Sequence, residues 1–511
     1  MTALQRAISH PEPVEGIGTR SPVDGLDRRS VGGLEVLAQS VAAVAPSAAA
    51  TTIPLLVASV AGGGTVWALA AAMGLALLVA TTINQFTKRM AATGSLYTFV
   101  SRGLGTAASV VTGVAMLVGY GFIAMFSLGG AGYYLAILVG RFFPELGAPV
   151  LVGLAIVLGM AAACLLVLAR GIRVSTRVAL LVESVSVAII VALVIAMLGL
   201  QGPGIDWSVL RVDAVAPANF VVGAALALTA FVGFESASTL GVEARRPYAN
   251  IPRAITWTVI GAGMLYLMAS FSQLVGFSIL GRDVAASASP VNDLASAFGL
   301  GWLGLLLDVS IAASFLACAI ASITALARVL FSMGREGLLP SSFGRTHRRY
   351  RTPFVAVVVT VPIITAVLIL TILLAGGVWE AMEVVIVGAA GGYIVAYVLA
   401  CAAAPVFLWR IGELTVGVAV RAALAALLLT AVLVVYLVAE SGTARLPGVI
   451  VFVVAMVVGV GFLALRYARR PWLRHTIGVY DVPVGDDVLG GPHGVETISL
   501  GEGTAQALDS T

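Results

Sequence analysis

The sequence predicts an all-α polytopic membrane protein with twelve transmembrane helices. Three observations carry this reading. Of 511 residues, 60% are hydrophobic and 11% charged, with mean hydropathy +1.05, where a soluble domain carries roughly 25% charged residues. The apolar runs last roughly 20 residues or more, enough to cross a ~30 Å hydrocarbon core as helix. On a twelve-span path, all but four of the 29 Lys and Arg fall in segments on one side, the exceptions being Arg141, Arg211, Arg282 and Arg445. Under the positive-inside rule this makes both termini cytosolic and the chain a multi-pass protein of the plasma (inner) membrane.

The elements follow in order. Residues 1–33 contain Pro11, Pro13 and Pro22 and no apolar core, so they read as a flexible cytosolic tail, and no cleavable signal precedes the first span. Spans at 35–60, 65–87, 108–139, 148–169 and 178–200 form a first half, 34–200. Spans at 218–242, 254–280, 301–333, 353–375 and 383–409 form a second, 201–410. Two further spans, 416–438 and 446–466, occupy 411–470. Residues 471–511, Gly- and Asp-rich over 476–511, read as a second flexible cytosolic tail.

Several function classes fall away at this point. The net charge of +4 is spread through short loops, which gives nucleic acid no basic face. Cys164, Cys318 and Cys401 lie in apolar runs without C-x-x-C spacing, so neither a disulfide framework nor a zinc site is expected. All four histidines lie outside the spans, and Lys88, the single lysine, belongs to a loop. No metal, cofactor or enzyme machinery is expected.

Two spans contain a break. In span 1, Val44-Ala45-Pro46-Ser47-Ala48-Ala49-Ala50-Thr51-Thr52 sets a proline mid-membrane, followed by small side chains and Pro54. Proline removes a donor and clashes with the preceding turn. The freed groups then either pack as a kink or line a cavity. In span 6, Thr229-Ala230-Phe231-Val232-Gly233-Phe234-Glu235-Ser236-Ala237-Ser238-Thr239 combines a mid-helix glycine, two aromatics and an acid. Broken helices at corresponding positions of two halves point to a transporter site. The offset of five spans is odd, so the second half would cross in the opposite sense.

The string Phe231-Val232-Gly233-Phe234-Glu235-Ser236-Ala237, followed by Gly241-Val242-Glu243, Pro247 and Ile251-Pro252-Arg253-Ala254-Ile255, resembles the sixth helix and following loop of the amino acid-polyamine-organocation (APC) transporters. Arg328 with Ser332-Met333-Gly334-Arg335-Glu336-Gly337-Leu338-Leu339-Pro340 resembles the cytosolic end of their eighth helix, and Gly94-Ser95-Leu96-Tyr97 the loop between their second and third. The resemblance spans roughly 33–470. It implies a five-helix inverted repeat (helices 1–5 and 6–10) with discontinuous helices 1 and 6, and peripheral helices 11 and 12. It also implies that spans 1, 2, 6 and 7 rock against 3, 4, 8 and 9.

The expected function is secondary active transport of an amino acid or related amine, as symport or antiport, with a proton as the coupling ion and the lipid bilayer as surroundings. The alternatives are a carrier for another small solute such as a nucleobase, or a channel or nontransporting sensor. At the first break, the amides around Pro46, Ser47, Ala48, Ala49 and Ala50 suit a carboxylate, because a helix start presents unpaired N–H groups. At the second, carbonyls of Ala230, Phe231 and Val232 before Gly233 suit an ammonium, and Phe231 and Phe234 either cover the substrate or pack in the core. Three acids fall well inside spans: Glu183, Glu235 and Asp308. Such residues mark ion and proton pathways. Glu235 and, failing it, Glu183 are the proton-coupling candidates, each set against a structural hydrogen-bonded acid. Asp308 either orients cations in an outer vestibule or makes a polar contact between helices. In the loop after span 6, Glu243, Arg245, Arg246 and Arg253 are candidates for exchanging partners at an inner gate.

Overall fold

The computed structural model describes residues 25–143, 150–202, 205–211, 215–281, 290–299 and 301–481. These are helical apart from turns and two isolated bridges. The first half holds α1 (Gly33–Val44), α2 (Pro46–Ala61), α3 (Thr65–Thr87), α4 (Leu96–Leu104), α5 (Thr106–Phe142), α6 (Val150–Ala169) and α7 (Ile172–Gln201). The second holds α8 (Pro217–Leu228), α9 (Pro247–Ile279), α10 (Pro290–Ala297), α11 (Gly301–Arg335), α12 (Phe354–Ala375) and α13 (Val378–Arg410). Then come α14 (Val416–Ser441), α15 (Leu446–Arg469) and the short α16 (Leu473–Thr476). Among the described residues, 11 helical stretches are long and apolar enough to cross a membrane, and the first, Gly33–Thr87, contains α1, α2 and α3 together. The short α4 and α10 lie between predicted spans and have no counterpart in the apolar pattern.

Burial sorts the helices into core and rim. In α11 and α5, 83% and 78% of the apolar window is buried, against 17% in α15 and 22% in α14. The rim helices turn Leu427, Val438, Val457 and Phe462 outward, which is the expected face toward lipid rather than water. At the centre, α5 packs against α11 and α13, while α1 and α2 are held by α7, α9 and α11. Lipid supplies no hydrophobic drive between helices, so close packing must hold them together, and small residues permit it. Gly392 of α13 is one such point: a Cβ there would stand 2.5 Å from the amide of Gly119 and 2.7 Å from the carbonyl of Ala115 on α5.

Both described chain ends meet at one face of the bundle, called here the terminal face. Val31 bridges Ala244, its amide donating to Glu243 O at 2.9 Å and its carbonyl accepting from Arg245 N at 2.8 Å. Residues 471–481 belong to the segment whose composition reads as a flexible tail, and they pack under this face. Leu473 and Ile477 are buried, and Trp472 covers Gly337. The Gly478 and Val479 amides each donate to Glu336 Oε1 at 2.9 Å. The amide of Asp481 donates to Ala91 O at 2.9 Å, and its buried carboxylate meets Arg28 at 2.9 Å and Arg29 at 3.0 Å. Residues 1–24 and 482–511 of the two predicted tails lie outside the described residues.

Valine at position 392 should force α5 and α13 apart. Gly392→Val is expected to destabilise the protein by about 3 kcal/mol, the upper range for overpacking, and to lower the melting temperature in detergent. A wild-type melting temperature would show that the two backbones are not in contact.

Candidate functional site

The two breaks have local causes. Pro46 cannot donate to the Ala42 carbonyl, which instead accepts from Ala45 N at 3.1 Å as the chain turns into the left-handed region (φ +45°). The next carbonyls are taken from outside the helix: Ala43 O by Cys318 Sγ at 3.2 Å and Val44 O by Tyr266 OH at 3.3 Å. Pro54 repeats the problem one arm later. It strands Ala50 O, and Gln273 Nε2 donates to it at 2.9 Å.

The second break follows α8. A turn over Thr229–Phe231 and another over Phe234–Leu240 are separated by extended Val232 and by Gly233 at φ +96°. Any side chain at 233 would be strained, and its Cβ would lie 2.9 Å from Ala43 O. The breaks therefore touch. Tyr266 OH also lies 3.0 Å from Ala230 O, so one hydroxyl of α9 serves a carbonyl of each break. Ser40 Oγ donates to Phe234 O at 2.7 Å, tying α1 to the same turn.

The three intramembrane acids find different partners. Glu235 is fully buried and accepts from Tyr120 OH at 2.7 Å and from Tyr397 OH, which in turn accepts from Gly233 N at 3.1 Å. Glu183 Oε1 accepts from Ser314 Oγ at 3.0 Å, and from Ser47 Oγ and Ser47 N at 3.4 and 3.5 Å. Its Oε2 is buried without a partner. Ala48 N donates to Ser314 Oγ at 3.4 Å, so the two amides nominated for a substrate carboxylate face Glu183 and Ser314. Asp308, at the face opposite the terminal face, is paired with Arg141 at 2.7 Å and accepts from Asn292 of α10 at 2.8 Å. Near the terminal face Glu243 pairs with Arg328 of α11 at 2.6 and 2.8 Å, both buried, rather than with Arg245, Arg246 or Arg253.

Between the breaks lies a cavity of about 30 Å³, room for roughly two waters. Ala43, Val44, Ala45, Ala49, Thr52 and Ile53 border it from the first break, and Thr229, Ala230 and Val232 from the second. Ile123, Phe126 and Ser127 of α5, Phe315 and Cys318 of α11 and Ile386 of α13 complete the wall. Of the predicted binding residues, Ala49, Ala230 and Val232 border this cavity. Pro46, Ser47, Ala48, Ala50, Phe231, Gly233 and Phe234 do not; Ala50 borders a separate cavity of about 10 Å³ beside Gln273. The Phe231 ring meets Tyr266 edge-on at 5.2 Å, and Phe234 stacks on Tyr397 at 5.2 Å. Tyr120, Tyr266, Gln273, Ser314 and Tyr397 escaped the sequence reading. The available signal was Tyr266 and Gln273 spaced seven apart in an apolar run, on one face of a helix.

A family model described as amino acid permease matches residues 35–476. The chain belongs to this family. The permease is 26% identical over 301 residues to the branched-chain amino acid permease BcaP of Bacillus subtilis, covering 55% of this chain and 62% of BcaP. It is 28% identical over 288 residues to the low-affinity putrescine importer PlaP of Escherichia coli, covering 54% and 61%. Both matches span less than two thirds of the relative. A crystal structure of MhsT in complex with L-phenylalanine superposes with TM-score 0.53 at 17% identity, covering 80% of this chain and 99% of that one. That likeness shows a shared fold.

Leucine at position 49 should fill the cavity between the breaks. Ala49→Leu is expected to abolish solute uptake into proteoliposomes while leaving expression and the melting temperature near wild type. Undiminished uptake would remove this cavity from the transport path.

Proposed function

We propose that this permease is a secondary active transporter that carries an amino acid or related amine across the plasma membrane by alternating access, driven by protons. The observation behind this reading is that two interrupted helices meet across one cavity, with Gly233 against Ala43 and the Tyr266 hydroxyl bonded to Val44 O of one break and Ala230 O of the other. In this reading Gly33–Thr87 crosses the membrane twice. That makes twelve crossings, with helices 1–5 and 6–10 as inverted repeats and α14 and α15 peripheral. The likeness to MhsT and the low burial of α14 and α15 support it. The terminal face is cytosolic, as the distribution of basic residues supports.

The cavity wall favours a neutral amino acid with an apolar side chain over a polyamine. Ile53, Ile123, Phe126, Phe315 and Ile386 are apolar, and the polar atoms among the wall side chains belong to Ser127, Thr52, Thr229 and Cys318. None of the three intramembrane acids borders it, so a second ammonium would be buried without a counter-charge. The cavity is smaller than any amino acid. Entry therefore requires the two broken helices to part from α5 and α11.

Proton coupling follows from the acids that lack a cation. Glu235 accepts from two tyrosines, one of which holds the Gly233 amide. Once protonated, the carboxyl must itself donate to one of these hydroxyls, which reverses the hydrogen-bond order at the break and loosens Gly233. Glu183 stands second. A substrate carboxylate gains the Ser47 and Ala48 amides only when Glu183 and Ser314 give them up.

Glu235→Gln keeps the size of the acid and mimics its protonated form. It is expected to retain binding of neutral amino acids and exchange, but to lose accumulation driven by an imposed proton gradient and to flatten the pH dependence of uptake. Glu235→Asp should keep partial coupling. Wild-type accumulation by the Gln variant would remove Glu235 from the mechanism and leave Glu183→Gln for the same assay. Uptake driven by sodium and indifferent to protons would overturn the coupling proposed here.

A further inference from the structure

The geometry points to residues 472–481 as an autoinhibitory strap that holds the terminal face shut and must release before the cavity can open toward that side. This rests on the alternating-access reading above. The strap joins elements which that motion would separate. On one side Asp481 holds Arg28 and Arg29, which lead into α1 and so to the first break. On the other, Glu336 directly follows α11, the helix with the most buried apolar window, and gathers the Gly478 and Val479 amides. Thr476 Oγ1 donates to Glu336 O at 2.9 Å. From below α3 and on α4, Ala91 O accepts the Asp481 amide and Arg102 Nε donates to Gly478 O at 3.0 Å.

The base of α1 is not free to swing away while these contacts stand. Pulling Arg28 and Arg29 from the buried Asp481 carboxylate breaks two ion pairs on a buried acid, which is strongly destabilising. Opening therefore carries the strap off Glu336 or tears it from α1. When the strap leaves Glu336, its carboxyl is rehydrated.

That rehydration gives the strap a pH dependence. The groups facing Glu336 are the Tyr97 hydroxyl and Arg102 guanidinium of α4 and the strap amides. Burial outweighs them and pushes the docked carboxyl from about 4.5 up to about 7. A docked acid that holds its proton more tightly than the released one favours docking below pH 4.5, and the advantage is lost as pH rises toward 7. Acid on the terminal side thus tightens the strap. For a carrier that brings protons in with its substrate, the acidification it causes would slow it.

The test uses the full-length protein in proteoliposomes with the terminal face accessible. Asp481→Asn is expected to raise turnover at least threefold with KM changed less than twofold. It should also speed labelling of Cys318, which borders the cavity, by a membrane-impermeant maleimide applied from that face, read by mass spectrometry. In the wild type, hydrogen-exchange protection of 473–481, normalised to free-peptide rates, should fall at least tenfold from pH 5.5 to 7.5, and Glu336→Gln should abolish that slope. If Asp481→Asn fails to fold, Arg28→Gln/Arg29→Gln takes its place. A released strap, verified by exchange, with turnover and Cys318 labelling at or below wild type would overturn the proposal. Cys318 labelling reports opening without any solute. Normal opening with no uptake of any amino acid or amine would therefore count against the transport reading instead.

Discussion

Inside a bilayer a backbone group that loses its helical partner has no water to turn to, and the arrangement of this permease follows from that constraint. Pro46 and Gly233 interrupt helices and Pro54 strands a carbonyl within α2, and side chains from other helices meet groups freed at all three. Gln273 answers the carbonyl stranded by Pro54, Cys318 and Tyr266 answer those exposed at Ala43 and Val44, and Tyr397 takes the Gly233 amide. These partners fix α9, α11 and α13 around the breaks. The cavity is what remains once the obligations are met.

Four buried acids show how the same environment treats charge. Asp308 and Glu243 sit against arginines, in structural pairs. Glu235 and Glu183 are held by hydroxyls and backbone amides. Hydroxyls both donate and accept, so they accommodate a carboxyl in either protonation state. Of these four, the acids able to exchange a proton without stranding a cation are therefore the two beside the broken helices.

The helical class, the spans and both breaks were legible because they are written in local chemistry: apolar run length, a proline's missing donor, a glycine where others are strained. Partnerships were not. Ser47 and Glu183 are 136 residues apart, and Val44 and Tyr266 are 222 apart, distances that no periodicity reports. The amides of Ser47 and Ala48 were nominated from helix-start chemistry alone, and nothing in the linear order marks Glu183 and Ser314 as facing them. The arginine facing Asp308 was equally hidden, since Arg141 reads only as an outer-loop charge. Residues 471–481 read as part of a flexible tail, whereas their burial arises from Glu336, Ala91 and the two arginines ahead of α1.

The pairing of Asp481 with Arg28 joins residues 453 positions apart, and this has a consequence for biosynthesis. At ~5–20 residues per second, an interval of roughly 20 to 90 seconds separates the emergence of the two partners from the ribosome. Throughout it, every helix from α1 to α15 must be inserted and assembled with the terminal face unsealed. The nascent bundle is thus gathered from within the membrane first, and closure of that face comes late in assembly rather than serving as an early scaffold for it.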